Sequence, residues 1–316
     1  MTAGRVVIAG ASGFIGRYLA ERFRADGDTV ITVGRSGADV TWGDTAALEA
    51  AVDGADLLIN LAGKNVNCRY TLKNKKRIMA SRVLTTGELG RAVEAAPKPP
   101  ALWLNASTAT IYRHADDRPM TEDTGEIGTG FSVNIATAWE REFFAHDRAG
   151  CRQVAMRLAI VLGDGSALAP MLALVRLGLG GPQIGGATPN GGQRFSWIHI
   201  DDVYRGIRFI QQHDELSGPV NLSAPEAVTN RQLMATLRRV LGMSFGLPAY
   251  RWMLEIGAWL MRTETELLLK SRWVQPARLT EAGFRFAHPA LEDAVREIVA
   301  GRSGHPRKTG VAGKSG

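Results

Sequence analysis

Gly10-Ala11-Ser12-Gly13-Phe14-Ile15-Gly16 follows directly on Val6-Val7-Ile8-Ala9, and these eleven residues decide the fold. Four consecutive apolar residues describe a strand covered on both faces. Residues 17–25, beyond the loop, carry Tyr18, Leu19 and Phe23 as an apolar stripe at helical spacing. A strand, a Gly-x-x-Gly-x-x-Gly loop and a helix together make a phosphate cradle. Gly10 permits the tight turn out of the strand, Gly13 lets the backbone approach a pyrophosphate, and Gly16 lets the helix pack close. The open N–H groups of the helix start then favour negative charge beside Ser12, Phe14 and Ile15. A dinucleotide is the ligand that such a loop suits.

Working outward, residues 29–33, 57–61, 101–106 and 154–161 read as further strands. Residues 45–52, 81–95 and 132–149 read as helices between them. This alternation predicts an α/β fold, a Rossmann-type doubly wound parallel sheet with helices on both faces. The second half is patterned differently. Residues 177–193 are rich in glycine and proline and read as a loop. Order returns over 195–210. Residues 229–241 predict an amphipathic helix capped by Thr229 or Asn230, residues 248–261 and the stretch around 267–269 look helical, and 290–299 predict the last helix. We therefore expect a dinucleotide-binding domain built from 1–163 and 195–218. A smaller lobe is expected from 164–194 and 219–300, with 301–316 as a disordered basic tail.

The second strand predicts which dinucleotide binds. An acidic residue at its end would hold the 2′-hydroxyl of NAD, but here the strand ends Thr32-Val33-Gly34-Arg35-Ser36. A guanidinium at Arg35, with Ser36 beside it, suits a 2′-phosphate, so NADP(H) is the expected cofactor.

Composition narrows the remaining classes. The chain has 316 residues, 45% of them hydrophobic, which allows a sizeable core. No apolar run reaches the length of a membrane span, and the short run before Val6 leaves no room for a signal peptide, so none is expected. Two cysteines, Cys68 and Cys151, make no disulfide framework, so a cytoplasmic location is expected. The net charge of +7 is unevenly placed. The tail carries Arg302, Arg307, Lys308 and Lys314 and no acid. Residues 57–87 also lack acids yet carry Lys64, Arg69, Lys73, Lys75, Lys76, Arg77 and Arg82. That second cluster is either a solvated helix face or a rim for an anionic ligand. Neither stretch has the interleaved aromatics of a nucleic-acid module, so a small-molecule substrate is the expected partner, and neither nucleic acid nor membrane.

The loop resembles that of the extended short-chain dehydrogenase/reductases. So do Gly43-Asp44, Asn60-Leu61-Ala62-Gly63, Ser107-Thr108-Ala109-Thr110-Ile111-Tyr112 and Trp197-Ile198-His199-Ile200-Asp201-Asp202-Val203. Further stretches are similar to one atypical branch, the epimerase-family or sugar-nucleotide-epimerase-like proteins, which carry a C-terminal domain of unknown function. They include Arg69-Tyr70-Thr71, Ser81-Arg82-Val83, Trp139-Glu140, Gly180-Gly181-Pro182 and Gly283-Phe284-Arg285-Phe286. The resemblance covers nearly all of residues 4–299. It implies that Asp44 lies by the adenine and that Leu61, Ala62 and Gly63 pass beside the cofactor. Asp44 could equally cap the helix at 45–52. A homodimer through the helices at 81–95 and 132–149 is also implied.

The resemblance further implies a catalytic Ser or Thr, a Tyr, and a Lys four residues after that Tyr. The first falls on Thr108, with Ser107 adjacent. Counting back from Glu140 puts Ser132 at the Tyr position and Ala136 at the Lys position. A serine hydroxyl is too weak an acid to replace a tuned phenol, and alanine carries no charge. Tyr112, at a strand end, is the expected substitute proton donor, ahead of Lys64, Cys68, Arg69, Tyr70 and His114. His199 alternates with apolar residues and reads as structural. The function expected is an oxidoreductase or epimerase-like activity on an alcohol or carbonyl. The alternative is a non-catalytic NADP(H)-binding regulatory or interaction protein.

Overall fold

The computed structural model describes residues 3–184, 188, 191–250 and 271–304. The helical stretches expected at 248–261 and 267–269, and most of the expected tail, lie outside the described residues.

Seven parallel strands form the main sheet. They are β1 (Arg5–Ala9), β2 (Thr29–Gly34), β3 (Val40–Thr41), β4 (Leu57–Asn60), β5 (Leu102–Thr108), β6 (Arg152–Leu158) and β11 (Gly218–Leu222). Their spatial order is β11-β6-β5-β4-β1-β2-β3. The chain winds one way from β1 to β3 and the other way from β4 onward. The switch therefore falls between β1 and β4, where open sheets of this kind bind ligands. Helices α1 (Phe14–Ala25) and α6 (Ile200–Gln212) cover one face through Leu19, Phe23, Val203 and Ile207. Helices α2 (Thr45–Val52), α3 (Leu72–Ala95) and α4 (Phe131–Phe144) cover the other through Leu48, Leu89, Val93 and Phe143. Strand β1 is apolar throughout its buried length because both faces are covered.

A second core lies beyond the sheet. It joins β7 (Ile160–Leu162), α5 (Leu168–Arg176), β10 (Trp197–His199), α7 (Asn230–Val240) and α9 (Leu291–Gly304). Short ladders pair β8 (Gln183–Ile184) with β13 (Ala249–Tyr250) and β9 (Arg194–Phe195) with β12 (Val228–Thr229). Helix α8 (Ala277–Glu281) packs back onto the main sheet through Leu279. Thr229 caps α7 in a reciprocal box with Gln232.

Three expectations need correction. The helix expected from residue 81 begins at Leu72, because Thr71 accepts from Asn74 N and caps it nine residues earlier. A helix, α5, precedes the glycine-rich loop where none was read. The boundary drawn at residue 219 cuts β11, whose ladder to β6 makes it the outer strand of the main sheet.

Candidate functional site

The glycine loop turns sharply at Gly10, which has φ +81° and whose N–H donates to Val33 O at 3.0 Å. A Cβ there would stand 2.8 Å from the carbonyl carbon of Leu61, and one at Gly16 would stand 2.7 Å from Ala11 Cα. Both positions are closed by the protein's own backbone. Gly13 differs: a Cβ there would meet only Gly10 O, at 3.4 Å. Gly13 is also the N-cap of α1 and supplies no side-chain cap, and the first turn has no acid. The helix start, with Phe14 and Ile15 in that turn, is therefore open to an anion.

Next to it lies a cavity of about 310 Å³ between the loop and the end of β2. Ser12, Arg17, Arg24, Gly34, Ser36 and Asp39 are among its lining residues. Arg35 is exposed and not among them. The cations facing the cavity are Arg17 and Arg24, which the strand-end reading did not find. Arg17 Nη1 donates to Ser12 O at 3.3 Å, which turns its guanidinium back over the loop. Asp39, also in the lining, accepts from Thr32 N and Oγ1, and those bonds hold its carboxyl below the usual range.

Asp44 is the N-cap of α2 and accepts from Ala47 N at 3.0 Å, so the capping alternative is the one the fold realises. Leu61, Ala62 and Gly63 leave β4 toward Gly10. A buried amide network fixes them. Asn60 Nδ2 donates to Asn105 Oδ1 at 2.7 Å and to Thr86 Oγ1 at 2.9 Å, while its Oδ1 accepts from Ala62 N at 3.0 Å. Trp139 Nε1 donates to the same threonine at 2.9 Å.

The catalytic expectations fare differently at the end of β5. Thr108 is half-buried and its Oγ1 accepts from Thr110 N at 3.1 Å, leaving its O–H to donate elsewhere. Ser107 is buried and donates to Glu140 Oε1 at 2.6 Å. Tyr112 does not face the cleft. It is 1% exposed, donates to Asn221 Oδ1 at 2.9 Å and accepts from Arg157 Nη1 at 2.9 Å. Burial pushes its phenol above its ordinary value, against the pull of Arg157. A proton donor needs access and a lowered value, so the expectation for Tyr112 is withdrawn.

What sequence reading missed here is Arg157. Ser107, Arg157 and Asn221 are register neighbours across β5, β6 and β11. Arg157 grips Glu140 with two parallel bonds, Nε to Oε1 at 2.9 Å and Nη2 to Oε2 at 2.8 Å. Burial opposes its charge, and Glu140 more than offsets that, so Arg157 stays cationic. Ser132 Oγ is buried with no hydrogen-bond partner among the described residues, and Ala136 is fully buried in the cluster that holds Tyr112. The lone charge in the apolar run at 154–161 was the available signal.

His114 accepts from Ser271 N at 3.2 Å through Nδ1 and faces Asp116 at 3.7 Å. His199 caps α6, its Nδ1 accepting from Asp201 N at 3.3 Å, in keeping with a structural part. Both cysteines are free thiols. Among the described residues no helix is long and apolar enough to cross a membrane.

Residues 6–223 match the NAD dependent epimerase/dehydratase family, and residues 251–298 match a domain of unknown function, DUF1731. The chain is 33% identical over 304 residues to the Epimerase family protein SDR39U1 of Bos taurus, covering 94% of this chain and 100% of that protein. It is 30% identical over 306 residues to the Epimerase family protein YfhF of Bacillus subtilis, covering 94% and 98%. A crystal structure of human SDR39U1 with NADPH superposes at a TM-score of 0.83 and 30% identity, covering 94% of this chain and 99% of that one.

Proposed function

The chain belongs to the NAD dependent epimerase/dehydratase family, and from that premise we propose that it is an NADP(H)-binding oxidoreductase or epimerase-like enzyme. Its substrate is the alcohol or carbonyl of a small, anionic molecule. The observation that carries this reading is the loop: Gly13 leaves open space at an uncapped helix start, beside a cavity faced by Arg17 and Arg24. The human relative bound to NADPH supports the phosphorylated cofactor.

Gly10, Ser12, Gly13, Phe14, Ile15 and Gly16 would hold the pyrophosphate. Ser36 and Arg17, with Arg35 at the strand end, would hold the 2′-phosphate. Asp44 keeps one carboxylate oxygen for the adenine end, and Leu61, Ala62 and Gly63 pass beside the cofactor. When bound, the nicotinamide supplies hydride exchange with carbon. Thr108 orients the substrate oxygen by donating its free O–H, while Ser107 and Tyr112 hold the strand end in place. With neither a phenol at 132 nor a lysine at 136, the proton comes from solvent through water.

One observation favours a non-catalytic NADP(H)-binding protein instead: the phenol nearest the strand end is locked on Arg157 and Asn221. Two measurements test the proposal. NADPH should raise thermal stability more than NADH does, and NADPH should be consumed with at least one member of a panel of anionic aldehydes and ketones. Equal stabilisation by both nucleotides would overturn the cofactor assignment. Selective NADPH binding with no turnover across the panel would favour the non-catalytic reading.

A further inference from the structure

His199, His288 and Glu297 are brought together from three separate stretches of the chain. His199 ends β10 and caps α6, His288 lies in the loop before α9, and Glu297 stands on the second turn of α9. One donor atom from each lies within 4.8 Å of the other two, and among the described residues no other three metal-ligating side chains come so close. The two imidazole rings are 3.9 Å apart between centroids, and His288 Nε2 is 3.4 Å from Glu297 Oε2. Two donors on one tetrahedral zinc ion, each about 2.0–2.1 Å from it, stand roughly 3.4 Å apart. The His288–Glu297 distance already has that value, so closure on His199 asks only for side-chain adjustment.

The fold holds both histidine backbones in place. Asp202, fully buried in the first turn of α6, accepts from Ala287 N at 2.7 Å and His288 N at 2.9 Å, which pins the loop before α9. His199 is paired with Leu162 across the β10–β7 ladder. Glu297, its side chain 60% exposed, leaves one side open to solvent and to an entering ion. Protonation and charge also suit a cation. Burial, then His288, lowers His199 from 6.5 to about 4, so its ring is neutral and has a lone pair to give at neutral pH. Asp201, next to the site, accepts from Tyr18 Oη at 3.0 Å and pairs with Arg22 at 3.4 Å. Burial, Asp201 and Glu297 push the Tyr18 phenol up against the pull of Arg22, so both carboxylates bear on this corner of the molecule.

We propose that His199, His288 and Glu297 form a site for a late first-row divalent cation, zinc foremost. Two imidazoles and one carboxylate are the donor set such an ion takes, with water completing a tetrahedron. Ligation turns His199 Nε2 to the ion and gives up the long 3.3 Å bond that Nδ1 accepts from Asp201 N. Nδ1 then carries the proton, and the Asp201 carboxylate is the acceptor at hand, the usual outer partner of a metal-bound imidazole. The ion clasps α9 to the end of β10 and the start of α6. The inference goes beyond the proposed function and does not depend on it.

Titration of the untagged full chain, stripped of metal with EDTA and dialysed, tests this with Zn2+ in competition with a chromophoric chelator. Co2+ in place of Zn2+ reads the geometry by visible absorption. The expected result is one Zn2+ per chain, and an intense four-coordinate Co2+ band that Zn2+ displaces. His288→Asn, Glu297→Gln and His199→Asn should each weaken Zn2+ binding at least about tenfold, His199→Asn while still able to cap α6. His146→Asn removes an imidazole that faces Glu94 and Glu142 elsewhere on the surface, and should leave binding unchanged. No uptake against the chelator, equal affinity in the three site variants and the parent, or loss of binding in His146→Asn would overturn the inference. Glu297→Gln alters an exposed side chain and keeps the test open should a histidine variant not fold.

Discussion

Arg157 and Tyr112 meet at 2.9 Å beneath the end of β5, with the guanidinium also 5.1 Å from the phenol ring centroid. The phenol thereby ties the segment after β5 to Arg157 on β6 and Asn221 on β11. Tyr112→Phe should leave NADPH-dependent turnover within a few-fold of the parent. It should cost about 1–3 kcal/mol of stability, because Asn221 Oδ1 and an Arg157 N–H lose their partner in a buried site. Denaturant unfolding and initial rates on the same preparations check both. A drop in rate of about 100-fold with unchanged stability would restore the phenol as proton donor.

Breaking the Arg157–Glu140 pair should be more severe. Arg157→Met or Glu140→Gln should cost about 3–5 kcal/mol, since each leaves a buried partner uncompensated. The double substitution should cost less than the sum of the two, because it leaves no orphan charge. A double-mutant cycle by urea denaturation reads the coupling, and strict additivity would show that the pair does not act as a unit.

The three loop glycines should separate by phenotype. Gly10→Ala and Gly16→Ala place a Cβ against backbone at 2.8 Å and 2.7 Å, and Gly10 also sits at φ +81°, so both should lower stability. Gly13→Val has room and an extended backbone, so the chain should fold and lose NADPH binding. Thermal melts with and without NADPH distinguish the two outcomes.

Cofactor preference should depend on two arginines. Arg35→Ala and Arg17→Ala should each narrow the NADPH–NADH difference by about 1–3 kcal/mol, the size of a charge-assisted contact. Arg17 faces the cavity and Arg35 does not, so the larger effect is expected at Arg17. Thermal shift at matched nucleotide concentrations measures the gap, and an unchanged gap in both variants would place the 2′-phosphate elsewhere.

His199 predicts an acid limb in stability. Burial, then the neighbouring His288, lowers it from 6.5 to about 4, with Asp201 pulling the other way. A depressed folded value stabilises the protein above pH 6.5, and that contribution fades as pH falls toward 4. His199→Asn keeps a side chain able to cap α6 and removes the titration. Melting temperature against pH should show a shallower slope between these values in the variant, with His288 still present.

The glycine loop and the alternation were legible because each rests on local chemistry: φ and period. Helix α2 was read to its ends for the same reason. The start of α3 was missed because its first turns, Leu72 to Arg77, are cationic and lack an apolar stripe. Only the Thr71 cap marks them. Arg157 was passed over because a strand reading weighs the apolar majority of 154–161. The partner that makes a charge affordable there, Glu140, sits on a helix seventeen positions away. Arg17 was invisible for a related reason. Spacing along the chain puts it in a helix, and only the fold brings it into the lining of the cavity at the end of β2. Tyr112 shows the converse: a strand-end position says that a side chain is near a ligand edge, not which way it points.

Strand β11 follows its neighbour β6 only after sixty residues, from Leu158 to Gly218. During synthesis, the sheet stands open at β6 until that segment emerges. A bare parallel edge is a template for pairing with another chain. The interval is partly guarded by β6 itself, whose Arg152 and Arg157 put charge on a strand otherwise built of Gln153 and four apolar residues. The arginine that later anchors the buried network is thus also the feature that makes the unfinished edge a poor partner for a second nascent chain.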